Sequence, residues 1–328
     1  MKINHFDKIE GRSKADLLVI PLVIEKQKVR WPSDLKALAK SHYAPVEAGD
    51  FCGKEGETAL LYAQGDKETR VLLLGLGELE LITTESLRRA FSAAVKAANK
   101  LGAAHLNVYV PELFHLSDDQ LFRGITEGLF LTNYRYHHLK SEKSKKDAKK
   151  MIEQIGLISH SKKAKSLVEK YWTLSEGVFE ARDMVNGNAD EVNPDYLADW
   201  TKNLSKKNSK IKTTILDKKA LQKEGLGLLL AVGRASPRDP CLIVAEYQGN
   251  PKSKDKTLLV GKGVTYDTGG LNLKPTGSME TMKCDMGGAA CVLSTLAVSS
   301  RLNLKVKLVV IVPATENSIA SESYKPGD

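Results

Sequence analysis

Residues 260–290 read VGKGVTYDTGGLNLKPTGSMETMKCDMGGAA. The stretch opens at the end of an apolar run of strand length (257–260) and closes in an Ala-rich helical one (287–299). Between them Lys262, Asp267, Lys274, Lys283 and Asp285 are spread among glycines and small polar residues. Charged groups held on Gly-rich turns at the ends of buried strands are a common way to build a reactive site. Glycine on both sides of Lys262 lets the backbone turn tightly and brings the lysine to a sheet edge. The order strand, charged turn, helix makes this half of the chain α/β.

Working outward, 306–312 reads as a strong buried strand ended by Pro313, and further strands fall at 213–216 and 242–247. Asn193-Pro194-Asp195 opens a helix, with Asn193 as its cap and Pro194 in its first turn. Nearer the N-terminus, 17–24, 70–76 and 106–110 are apolar runs of strand length. Residues 85–101 (ESLRRAFSAAVKAANKL) place apolar side chains three and four apart, the period of a helix. Strand, helix, strand in that order implies a parallel α/β layer. A strand at 152–158 completes it, and a helix over 163–185 leads into a second domain. The expected division is an N-terminal α/β domain over 1–160, a linker helix over 161–190 and a second domain over 191–328. The lysine-rich run 140–150 is the best candidate for a connector. Gly75-Leu-Gly77 follows a strand, but the third glycine of a dinucleotide loop is missing and acids follow it.

Composition narrows the class. The chain has 328 residues, is 42% hydrophobic and 27% charged, and carries a formal net charge of +9. That is an ordinary globular make-up with no run near the roughly 20 apolar residues a bilayer span needs. Much of the charge is local: residues 140–170 hold ten lysines against four acids. A solvated face accounts for this, because no aromatic stacking pattern or Arg-rich helix accompanies it, and nucleic acid is not an expected partner. The four cysteines show no CxxC spacing, so a reduced, cytoplasmic protein without structural disulfides or membrane partner is expected.

Taken singly, the charged residues of 260–290 have plain readings. Asp285 precedes a helix and suits a cap, Asp267 precedes a glycine pair and suits a turn, and the lysines suit a solvated surface. The conjunction also suits a site for divalent cations at the carboxyl edge of an α/β sheet. No histidine follows His160, so its donors would be oxygens and an amine.

GKGVTYDTGGLNLKP followed by MKCDMGGAA resembles the leucyl aminopeptidase (cytosol aminopeptidase) family, peptidase family M17. PATENSIASESYKPGD, EGVFEARDMVNGNADEVNPDYLA and LGLLLAVGRASPRDPCLIVAEYQG are similar to further blocks of it, and NADEV is closest to its chlamydial branch. The resemblance is specific over 170–328 and weaker before 160. It implies a macro-like N-terminal α/β domain and a zinc-exopeptidase-like C-terminal α/β domain with a mixed central sheet. It further implies a homo-hexamer that releases apolar, Leu-like residues from peptides with a free N-terminus. Two divalent metal ions, Mn2+ or Zn2+, would bridge the attacking water, with bicarbonate as a base in the complete enzyme. Residue by residue, Lys262, Asp267 and Asp285 match metal ligands, Lys274 the catalytic lysine, and Met282 a residue of the substrate side-chain pocket.

Thr268 stands where the family more usually has serine, and Cys284, beside Asp285, is expected to be buried and inert. The family's second motif, of the form NTDAEGR, follows YKPGD, which here is 324–328. The resemblance therefore implies a C-terminally truncated site, inactive alone, with strand 306–312 left beside unpaired neighbours. Alternatives left open are a non-catalytic binding or regulatory paralogue and a nucleic-acid-associated protein.

Overall fold

A computed structural model describes every residue except 36–37, 40–41, 64–66, 143, 145–150, 321–322 and 326–328. Most of the lysine run 140–150 and the end of YKPGD thus lie outside the described residues. The chain forms two units, Met1–Ser175 and Glu176–Asp328.

The first unit is built on strands β1 (Lys2–Phe6), β2 (Leu17–Glu25), β3 (Lys28–Arg30), β4 (Thr58–Tyr62), β5 (Arg70–Glu78), β6 (His105–Tyr109) and β7 (Gln154–Ile158). The sheet order is β1-β7-β6-β2-β5-β4, with β3 added beside β2. From β1 to β5 all neighbours are parallel, as the strand–helix–strand order implies, and only β4 and β3 run against their partners. The first seven residues of β2 are all buried, the continuous apolar pattern of a parallel strand covered on both faces. Helix α1 (Thr84–Lys100) begins at a reciprocal cap between Thr83 and Ser86, and α2 (Asp118–Thr132) at one between Ser117 and Gln120. The two helices touch closely. A methyl group at Gly124 would lie 2.6 Å from the Thr84 carbonyl oxygen, and one at Gly128 would lie 2.6 Å from that of Arg88. Gly75 has a similar packing reason, because a Cβ there would stand 2.1 Å from the Lys54 carbonyl oxygen. Its glycine serves the approach of another loop and not a phosphate.

Helix α3 (Ala164–Asn186) carries the chain into the second unit. There α4 (Pro194–Lys207) starts as expected, with Asn193 Oδ1 accepting from the Tyr196 amide at 3.0 Å and proline in the first turn. Strand β8 (Ile211–Leu216), helices α5 (Lys218–Lys223) and α6 (Gly227–Val232), and strands β9 (Cys241–Gln248), β10 (Thr257–Val260) and β11 (Gly263–Asp267) follow. Helix α7 (Gly287–Arg301) and strand β12 (Lys307–Asn317) close the described elements. The sheet is mixed: β12 is antiparallel to β9 and parallel to β10 and β11, which lie end to end along its other side. Ile243, Ala245, Tyr247, Leu293, Val310 and Val312 form its core, all fully buried. Each such aliphatic side chain contributes about 1.5–3 kcal/mol relative to exposure.

Strand β9 flanks β12 on one side and β10–β11 on the other, and among the described residues β10 and β11 have no second strand partner. One expectation about β12 is corrected: it does not end at Pro313, since pairing continues to Asn317. The reason lies in the ladder. Gly261 donates to the Ile311 carbonyl at 3.0 Å, and the next parallel bond would run from residue 313 back to the Gly261 carbonyl. Proline has no N–H to give, so the ladder lapses at residues 261 and 262 and resumes at Gly263, paired with Ala314. The proline costs the strand one bond and leaves a gap in its neighbour.

Candidate active site

Lys262 stands in that gap. Its flanking glycines are sterically required: a Cβ at Gly261 would lie 2.7 Å from the Gly288 carbonyl oxygen, and one at Gly263 would lie 2.7 Å from that of Pro313. The Lys262 carbonyl accepts from the Ala289 amide at 2.9 Å, which ties the gap to the first turn of α7. Met286 occupies the cap position of that helix and offers no side-chain acceptor, so the plain reading of Asp285 as a cap does not hold. The Asp285 carboxylate instead faces Lys262, whose Nζ lies 2.7 Å from Oδ1 and 2.6 Å from Oδ2. The Nζ is aligned for a hydrogen bond to Oδ1 only, and Oδ2 is buried without a hydrogen bond despite the short distance.

Asp267 ends β11. The backbone then turns through Gly269 (φ +86°) and Gly270 (φ +69°), conformations that side-chain-bearing residues rarely adopt. Asp267 Oδ1 accepts from the Gly269 amide at 3.0 Å, so its turn role is real. The same oxygen accepts from Asn317 Nδ2 at 2.7 Å, and Oδ2 accepts from Lys274 Nζ at 2.6 Å. Burial alone would raise the Asp267 pKa, but the bonds from Lys274, Gly269 and Asn317 outweigh it and hold the carboxyl below its usual range. Thr268 keeps the role a hydroxyl permits there, since its Oγ1 donates to the Asn317 carbonyl at 2.8 Å. The Lys274 amide is fixed to the Thr268 carbonyl at 2.9 Å.

Met282 opens the 3-10 turn Met282–Cys284 and is half-buried. Cys284 is exposed, against expectation, because that turn carries it to the outer side of the segment. Lys283 donates to the Asn186 carbonyl at 3.1 Å. Two groups escaped the sequence reading. Asn317, at the end of β12, grips both Asp267 and Thr268. Glu316 beside it is 1% exposed, with Oε1 accepting from Ser236 Oγ at 2.9 Å and Oε2 left without a hydrogen bond. A carboxylate at the far end of an otherwise apolar strand was the available signal.

Among the described residues no three His, Cys, Asp or Glu side chains gather as a metal cluster. The donor set available to a cation is therefore amine plus carboxylate. It fits a divalent ion in one respect that does not depend on a cluster: a buried, hydrogen-bond-free carboxylate oxygen on Asp285 faces an amine. The proton of Lys262 now stands where a cation would compete for the same lone pairs.

The fold agrees with what known proteins show. Residues 179–328 match the profile of the cytosol aminopeptidase family, catalytic domain, and residues 27–143 that of the same family's N-terminal domain. The chain belongs to the cytosol aminopeptidase family. It is 48% identical over 320 residues to a probable cytosol aminopeptidase of Protochlamydia amoebophila and 41% identical over 321 residues to one of Chlamydia felis. These alignments cover 98% and 97% of this chain, and the chain spans 64% of each relative's length. Among solved structures, a tomato leucine aminopeptidase mutant superimposes with a TM-score of 0.79 at 26% identity, over 100% of this chain and 65% of that one. The bottromycin maturation enzyme BotP in complex with Mn gives 0.74 at 26% identity, over 96% of this chain and 62% of that one. The expected two-domain α/β architecture with a mixed second sheet is what the structure has.

Proposed function

We propose that the protein bearing this chain is a metalloaminopeptidase that removes apolar, Leu-like residues from peptides with a free N-terminus. One observation carries the reading: Lys262 and the half-buried Asp285 carboxylate, whose Oδ2 is buried, are held face to face at a gap in the sheet ladder. Lys262, Asp285 and Asp267 would hold two divalent cations, Mn2+ or Zn2+; the BotP neighbour was solved with Mn. Such ions supply Lewis acidity toward the scissile carbonyl and activate a water.

The chain's own residues divide the remaining work. Lys262 could ligate only as a neutral amine, so it would hold the ion after giving up the proton it now shares with Asp285, and Asp285 would be the second donor. Lys274 keeps its proton and, on leaving Asp267, meets the negative charge that develops on the substrate carbonyl oxygen. Two lysines twelve positions apart thus hold opposite charge states. Met282 lines the pocket for the first side chain. Family membership supports the accompanying readings: a homo-hexamer, a cytoplasmic setting and bicarbonate as a further base.

The test is Lys274→Ala in the protein bearing this chain, followed with leucyl-p-nitroanilide and by metal analysis. Turnover should fall by about 10²–10³-fold while bound Mn2+ is retained, the scale of removing one oxyanion-stabilising donor. Retained turnover would remove Lys274 from this role.

A further inference from the structure

The N-terminal unit has a crevice of its own. It lies at the carboxyl ends of β2 and β6, with an open volume of about 430 Å³. The topology singles out this place. From β2 the chain moves to β5 on one side, and from β6 it moves to β7 on the other, so the connections diverge between β2 and β6. In open parallel sheets the crevice at such a divergence is where ligands bind.

The walls are aromatic: Trp31, Tyr109 and Phe114 line the crevice, and Phe114 is 94% exposed. Apart from His115, the titratable groups on the same lining are Asp34, Glu80, Glu112, Arg30 and Tyr109. Arg30 is engaged by Glu25 at 2.5 Å, and His115 Nε2 is bonded to the Ile82 carbonyl at 2.9 Å. Asp34 is held in place on two sides, by the Tyr109 hydroxyl at 2.7 Å and by His160 Nε2 at 3.3 Å. Glu80 and Glu112 are exposed carboxylates at the rim. The indole N–H of Trp31 is buried without an acceptor among the described residues, so no hydrogen bond fixes that wall. An anion would meet three carboxylates here. A cation would meet three carboxylates beside the aromatic rings of Trp31 and Phe114.

We infer that this crevice binds a small organic ammonium ion carrying an aromatic or apolar body, with the body against Trp31 and Phe114 and the ammonium at Asp34 and Glu112. The volume lies at the small end of ligand pockets and suits one amino-acid-sized body. The ammonium has two sources, a free amine or the N-terminal residue of a peptide. Nothing in this site draws on the chemistry of residues 260–290, so it stands or falls apart from the proposed peptidase activity.

Calorimetric titration of the chain in EDTA tests it, with phenethylamine, the dipeptide Phe-Gly, and 3-phenylpropionate as probes. Phenethylamine is expected to bind at millimolar concentration or better, weakening with salt, and 3-phenylpropionate not to bind. Glu112→Gln, an exposed change that leaves the fold intact, and Asp34→Asn should each raise the dissociation constant at least threefold, and together at least tenfold. Phe-Gly binding with the same sensitivity to these variants identifies the peptide source; phenethylamine alone identifies the free amine. Binding of 3-phenylpropionate as tight as the amine, no amine binding at millimolar concentration, or an unchanged constant in the double variant would overturn the inference.

Discussion

Gly261→Ala concentrates the structural argument in one methyl group. The added Cβ would lie 2.6 Å from Val292 Cγ2, 2.7 Å from the Gly288 carbonyl oxygen and 2.8 Å from Ala289 Cα. Two of these three atoms belong to the backbone at the start of α7, so rotating a side chain cannot make room. Forcing a methylene-sized group into such packing costs about 1–3 kcal/mol. For a unit of this size that is about 2–12 °C in the calorimetric transition of the Glu176–Asp328 unit. Gly227→Ala is the matched control: no atom lies within 4 Å of its Cβ, and the exchange should be neutral or gain a few tenths of a kcal/mol. Because the clash pushes α7 away from the gap, the Lys262–Asp285 pair is displaced too, and Mn2+ affinity should fall with stability. A variant that melts with the wild type refutes the packing argument. One that is destabilised yet binds Mn2+ unchanged refutes the link from helix to site.

Asn317→Ala removes the 2.7 Å donor to Asp267 Oδ1 but keeps the backbone carbonyl that Thr268 uses. Mn2+ affinity should drop about 10–100-fold, as for other lost partners of a ligand, and titration followed by electron paramagnetic resonance reads it directly; undiminished affinity would show that Asp267 needs no such support. In the first unit, Asp16 Oδ2 accepts from the Ala104 and His105 amides at 2.8 and 2.9 Å. Burial pushes its carboxyl up, yet these bonds prevail and leave its pKa below the ordinary value of 3.8. A carboxyl depressed in the folded state stabilises above its unfolded pKa and loses that contribution as pH falls through the folded one. The stability difference between wild type and Asp16→Asn should therefore be about 1–2 kcal/mol at neutral pH and shrink below about pH 4. A difference that stays constant from pH 6 to about pH 3 would count against ionised Asp16 as the source.

Much of this was legible in the chain because burial leaves a period in sequence. The uninterrupted apolar run of β2 and the spacing in α1 could hardly be read otherwise. Strand β11 was not legible: its Gly, Thr, Tyr and Asp resemble a turn, and only pairing with β12 makes it extended. Pro313 misled for a physical reason, since its missing N–H matters only if a neighbour asks for it, and which neighbour asks is tertiary information. In the candidate site, Lys262, Asp267, Lys274 and Asp285 stood out as charges among glycines. Asn317 did not, because an amide at a strand end carries no mark of the carboxylate it will hold 50 positions away. The capping role that composition favours for Asp285 gave way to Lys262, whose carbonyl already serves the helix's first turn.

That exchange of duties has a consequence for how the segment can change. Residue 313 withholds a donor, residue 286 withholds an acceptor, and the Lys262 backbone answers the second want while standing in the gap left by the first. None of the three is at liberty alone. An ordinary residue at 313 would offer the edge an amide that draws residues 261–262 back into register, and a true helix cap at 286 would release the Lys262 carbonyl from α7. The position of the lysine is thus inherited jointly by places widely separated in the chain, and sequence drift at any one of them is felt as a demand on the other two.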